Sequence, residues 1–219
     1  MRTRTMNRLD SLPAEPYDDT AQQEDAATLG MWAFLATEVL FFGVLFAAYT
    51  IFRVLHADAF VSASRHTDLP LGTLETAVLL LSSFTVALAV RDIQVGGRRL
   101  ATGLLLLTAA LGVAFLAIHG VEYHADYRAG VIPGIRYDEV GPLAAPKQLF
   151  FLLYYVTTAF HGLHVTIGVV LLLVMAWRVR RGVYSSTSHW PLEIAALYWH
   201  LVDIVWIFVF PLYYLVGRA

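Results

Sequence analysis

Five long apolar stretches divide the chain, at 30–52, 71–90, 101–121, 149–177 and 192–216. Each reaches the roughly 20 residues that a helix, rising about 1.5 Å per residue, needs to cross about 30 Å of hydrocarbon. None alternates with the period of two that a barrel strand requires. The pattern therefore predicts an all-α, polytopic membrane helical bundle of five transmembrane helices. Small residues four apart, Gly43 with Ala47 and Ala110 with Ala114, predict close helix approach. No internal repeat is visible, which speaks against a transporter built from inverted halves.

Residues 1–29 read differently. They hold Arg2, Arg4 and Arg8, two prolines and six carboxylates (Asp10, Glu15, Asp18, Asp19, Glu24, Asp25), with no signal-peptide core. The expectation is a polar, flexible, uncleaved cytoplasmic tail at 1–29, followed by one membrane domain at 30–219. With the N-terminus inside, nine arginines lie on the inner side, among them Arg91, Arg98, Arg99, Arg178, Arg180 and Arg181. Six basic residues (Arg53, Arg65, Arg128, Arg136, Lys147, Arg218) lie outside. The inner ones crowd into short loops beside helix ends, so the chain reads as N-terminus cytoplasmic, C-terminus periplasmic, in a bacterial inner membrane.

Composition agrees. The apolar set makes up 58% of the 219 residues and charged residues 15%, against about 25% in a soluble chain. Mean hydropathy is +0.62. A net charge of −2 gives no reason to expect nucleic acid. Zero cysteine excludes disulfides, thiolate zinc, iron–sulfur clusters, thioether-linked haem and Cys-held copper. Any cofactor would have to be held by His, Met or carboxylate.

Titratable residues inside a span are costly and need a partner or a purpose. The first span holds Glu38 and the second Glu75, followed by Ser82 and Ser83. The third ends in His119-Gly-Val-Glu122-Tyr123 and the fourth carries His161-Gly-Leu-His164. The fifth begins with Glu193 and continues through Tyr198-Trp199-His200-Leu-Val-Asp203-Ile-Val-Trp206. Spacing puts Glu193, His200 and Asp203 on one helix face, and pairs His161 with His164 and His119 with Glu122. Counted from the helix ends, Glu38 and His200 lie at the same depth of roughly 12 Å, with Asp203 and His164 a few Å deeper. The expectation is one buried cluster of Glu38, His164, His200 and Asp203. Such a cluster could hold a metal, as in di-iron carboxylate bundles, or a bis-His haem. It could also satisfy itself by hydrogen bonds, or handle protons, since an acid held away from water can exchange one near neutral pH. The residues alone leave these open.

The ordered motifs resemble subunit III of the haem–copper terminal oxidases, most closely the bacterial cytochrome c oxidase type, over roughly residues 29 to 217. Leu29-Gly-Met-Trp-Ala-Phe-Leu-Ala-Thr-Glu38-Val-Leu-Phe-Phe is similar to the family's helix with a buried glutamate. Thr76-Ala-Val-Leu-Leu-Leu-Ser82-Ser83, Glu122-Tyr123 and Phe160-His161-Gly-Leu-His164-Val resemble the next three. Tyr198-Trp199-His200-Leu-Val-Asp203-Ile-Val-Trp206 is the most specific match. Fuller members have seven helices, and this chain corresponds to the last five. Glu75, His119 and Pro191 stand where many members have Asn, Gln and Gly.

The resemblance implies a subunit of a respiratory oxidase with no redox centre, catalytic residue or metal of its own, and haem and copper in partner subunits. It implies packing on catalytic subunit I beside subunit II, phospholipid as a further ligand, and cytochrome c engaged through other subunits. The role would be to support proton uptake and turnover stability during oxygen reduction. Glu38, His161, His164, His200 and Asp203 would be the buried polar set, with Glu75, His119, Glu122 and Glu193 secondary. A quinol-oxidase third subunit and a nitric-oxide-reductase-associated homologue share the fold. A membrane metal-carboxylate oxidoreductase and a small proton-coupled transporter are the readings from other classes.

Overall fold

All five apolar stretches form helices, and the first four helices run past their stretches into polar sequence. The computed structural model describes Tyr17 and residues 19–184 and 188–218. The helices are α1 (Thr20–Leu55), α2 (Ala57–Ser64), α3 (Leu69–Gln94), α4 (Arg99–Ala129), α5 (Ala144–Arg180) and α6 (Trp190–Phe210). A two-stranded hairpin, β1 (Val131–Ile132) and β2 (Arg136–Tyr137), joins α4 to α5. Five helices are long and apolar enough to span a membrane: α1, α3, α4, α5, and α6 continued to Leu215.

The first helix starts at Thr20, inside the segment read from sequence as a flexible tail; residues 1–16 and 18 of that segment lie outside the described residues. Asp19 explains the early start, because its carboxylate accepts a 2.7 Å bond from the Gln22 N–H and Thr20–Ala27 is a run that tolerates helix well. Asp19→Ala should cost about 1 kcal/mol of local helix stability. Hydrogen exchange of the 20–25 amides should then speed up while the apolar part of α1 stays protected.

Arginines sit in the last turn of α1 (Arg53), α3 (Arg91), α4 (Arg128) and α5 (Arg178, Arg180). They complement the partial negative charge of each helix C-terminus. Gly130 closes α4 with a left-handed φ of 71°, which lets the chain turn straight into the hairpin.

The short α2, unanticipated from hydropathy, buries Ala59, Phe60 and Ala63 against α1 and α5. The Phe60 ring lies 5.4 Å from both Tyr49 and Phe150, tilted to the first and edge-on to the second. Beyond α6 the chain continues as a π-helical turn, Pro211–Leu215. Pro211 has no N–H to give the preceding turn, and the widened winding brings Tyr213 and Tyr214 into the core.

Trp199 of α6 is the centre of the bundle. Its indole Nε1–H donates to Ser82 Oγ of α3 at 2.9 Å. Its ring lies against Gly112 of α4 and Gly168 of α5, where an added Cβ would come within 2.7 Å of it. Trp206, two turns on, donates from Nε1 to Thr76 Oγ1 at 3.1 Å. The close approaches therefore fall at Gly112 and Gly168. Gly43 and Ala47 are instead exposed on α1, as is Ala110 on α4. The first helix is peripheral: 11% of its apolar window is buried inside the chain, against 50% for the last span.

Candidate functional site

Among the described residues, the acidic and histidine side chains singled out above gather in three places inside the bundle, each set by which helices face one another. The first is on the flank where α1 meets α5. Glu38 Oε2 lies 3.0 Å from His164 Nε2. His164 Nδ1 lies 2.7 Å from the Phe160 carbonyl, which can only accept, so Nδ1 carries a hydrogen. The 3.0 Å contact is then a hydrogen bond whose hydrogen either Glu38 Oε2 or His164 Nε2 can carry. Phe42 stands edge-on to the imidazole at 5.3 Å, and Tyr198 Oη donates to the His164 carbonyl at 3.1 Å. The side chains of Glu38 and His164 keep 17% and 14% exposure, so the pair opens sideways.

The second place is between α3 and α6. His200 Nδ1 and Ser83 Oγ are 2.7 Å apart. Asp203, one turn further, is buried near Ser83, although neither carboxylate oxygen completes a hydrogen bond of good geometry. Glu193, on the same face, accepts from Gln94 Nε2 at 2.9 Å and meets His189 at 3.1 Å. The single cluster expected from depth is thus two. Glu38 and His164 come together, whereas His200 and Asp203 turn toward α3. Equal depth does not fix azimuth: α6 presents residues 193, 200 and 203 to α3, while α1 packs on α5 beside a different face of α6. His161 joins neither group. It is 1% exposed, both ring nitrogens lack partners, and it packs against Trp206 and Phe115 at 5.0 and 5.4 Å.

The third place, read from sequence as secondary, is the most compact. Glu75 of α3 meets His119 and Glu122 of α4, and one ligand-type atom from each lies within 4.8 Å of the others. His119 Nδ1 is 3.2 Å from Glu75 Oε1 and 3.7 Å from Glu122 Oε2. Tyr214 Oη donates to Glu122 Oε2 at 2.7 Å, and the Asp68 N–H reaches Glu122 Oε1 at 3.3 Å. Tyr154 and Tyr214 hydroxyls are 3.0 Å apart, and Tyr155 Oη donates to Asp126 at 2.8 Å. Asp126, Tyr154 and Tyr214 were not singled out from sequence. A signal for Asp126 existed, since 119, 122 and 126 share one helix face. For Tyr214 there was none, because it depends on the π turn.

Comparison with known proteins agrees with this architecture. A family described as Cytochrome c oxidase subunit III matches residues 17–218. Cytochrome c oxidase subunit 3 of Thermostichus vulcanus is 35% identical over 205 residues, covering 92% of each chain. That of Synechocystis is 37% identical over 196 residues, 87% of this chain and 76% of the relative. Cytochrome bo(3) ubiquinol oxidase subunit 3 of Pseudomonas aeruginosa is 30% identical over 201 residues, 92% of this chain and 90% of the relative. With its five membrane-spanning helices, the chain belongs to the cytochrome c oxidase subunit III family, a multi-pass bacterial plasma-membrane subunit of a haem–copper oxidase complex.

Proposed function

We propose that this chain is the non-redox third subunit of a cytochrome c oxidase, seated on catalytic subunit I beside subunit II. The observation that carries the reading is its likeness, over nearly the whole chain, to relatives named cytochrome c oxidase subunit 3. The quinol-oxidase reading is the specific alternative, favoured by the Pseudomonas aeruginosa relative. Haem and copper belong to the partner subunits in this reading. Cytochrome c is engaged through them, and phospholipid fills apolar surface along α1. The N-terminus is cytoplasmic and the C-terminus periplasmic, following the loop arginines.

The Glu38–His164 pair is the group we assign to proton support. It holds one exchangeable proton between two atoms 3.0 Å apart, on a flank that opens sideways rather than into the bundle. Moving that proton between the two atoms leaves the net charge unchanged, and handing it on leaves the pair at −1 until another proton replaces it, so uptake and release must be coupled in an apolar setting.

Purification through a tag on this chain should bring a haem-bearing partner. Oxygen consumption by that complex with reduced cytochrome c, and not with quinol, is the expected result; activity with quinol alone assigns the alternative. Glu38→Gln keeps a hydrogen-bonding partner for His164 but removes the shared proton. It should leave haem and copper content unchanged and lower turnover, or its persistence over many cycles, by no more than a few-fold. Loss of haem on that substitution would refute the assigned role.

A further inference from the structure

We propose that Glu75, His119 and Glu122 form a binding site for one divalent cation of the zinc type, fastening α3 to α4 beneath the Asp68 turn. This goes beyond the supporting role argued above and departs from the expectation of a chain without metal.

The donor set is chemically apt. Zinc takes imidazole nitrogen and carboxylate oxygen as ligands, and it needs no thiolate, which this chain lacks. The spacing is apt as well. With arms of about 2.0–2.1 Å, a tetrahedral zinc places its ligand atoms about 3.3 Å apart. His119 Nδ1 stands 3.2 Å from Glu75 Oε1 and 3.7 Å from Glu122 Oε2, two edges close to that length, and the three ligand atoms all lie within 4.8 Å of one another.

The cluster is poorly explained by its own hydrogen bonds. Glu122 has the Tyr214 hydroxyl and the Asp68 N–H, but Glu75 has only the imidazole nitrogen that it shares with Glu122. Glu75 is fully buried, its Oε2 has no partner, and among the described residues no Lys or Arg pairs with either carboxylate. An unpaired carboxylate oxygen in such a place is expensive. A divalent cation neutralises both acids at once and supplies what Glu75 lacks. Tyr214, itself bonded to Tyr154, would then orient Glu122 from outside the coordination sphere.

The test is elemental analysis of the intact detergent-solubilised complex, purified through a tag on this chain from zinc-supplied cells and washed with a weak chelator. One zinc per chain is expected in the wild type, falling at least tenfold in Glu75→Gln/His119→Asn. Should the double variant fail to assemble, Glu75→Gln alone keeps the side-chain shape and should still lower zinc retention at least tenfold. Zinc X-ray absorption of the wild type should show only nitrogen and oxygen neighbours at about 2.0–2.1 Å. Sulfur in that shell would place the metal on another subunit and overturn the proposal. So would a wild type that retains no zinc, or equal zinc in wild type and variants. Metal content is read separately from haem content and electron donor, so failure here leaves the oxidase assignment untouched, and the reverse holds too.

Discussion

Trp199→Ala should destabilise the subunit by about 3–5 kcal/mol, the range for deleting a fully buried aromatic side chain. The indole is completely buried and touches three other helices: Ser82 on α3, Gly112 on α4 and Gly168 on α5. Between membrane helices close packing is the main source of attraction, since lipid tails are as apolar as leucine. A void at this crossing is enclosed by helices, so lipid cannot fill it. Trp199→Phe separates packing from hydrogen bonding: it fills most of the space, releases Ser82, and should cost only about 1–2 kcal/mol. Gly168→Ala attacks the same contact from the other side, because its methyl would sit 2.7 Å from the indole. We expect the alanine variant at Trp199 to shift the SDS-unfolding midpoint of the purified complex most, with Gly168→Ala next and Trp199→Phe least. Equal shifts for Trp199→Ala and Trp199→Phe would mean that the hydrogen bond, not the packing, holds the crossing.

The five spans were legible because hydrocarbon thickness demands an unbroken apolar run, and none of the five runs is interrupted. Helix ends were less legible. Thr20–Leu29 is polar enough to read as a tail, yet Asp19 and a tolerant composition extend α1 through it. The amphipathic α2 was hidden between spans because its burial depends on Phe60 meeting Tyr49 and Phe150, which are remote in sequence. Inside the membrane, sequence spacing correctly put His119 with Glu122, and Glu193 with His200 and Asp203, on common faces. It could not say which neighbour each face meets. That is why depth alone predicts one cluster of Glu38, His164, His200 and Asp203, where Glu38 meets His164 and His200 meets Ser83 instead, and why Glu75 does not show from sequence as the partner of the His119–Glu122 face. Azimuth is decided by packing, here by Trp199 and Trp206 reaching Ser82 and Thr76, and packing is not a property of one helix.

His164→Leu should be far more damaging than replacing both members of the pair. With the imidazole gone, Glu38 Oε2 loses its hydrogen-bond partner in a half-buried apolar flank, a loss on the order of 2 kcal/mol. Glu38→Leu/His164→Leu removes both desolvation costs and lets the flank pack as hydrocarbon against Phe41, Phe42 and Phe160, so most of that loss should be recovered. A double-mutant cycle on the SDS-unfolding midpoint reads the coupling directly. The size of the coupling also reports what covers the flank. An exposed pair in water is worth well under about 1 kcal/mol, because solvent and salt screen it. Lipid or a partner subunit offers no such screening, and the side-chain exposures of 17% and 14% would then open onto a dry surface. A coupling above about 1.5 kcal/mol that does not fall as salt is raised from low to molar concentration is the expected result. A coupling that collapses with salt would show that bulk water, and not lipid or a partner subunit, covers Glu38 and His164 from the side.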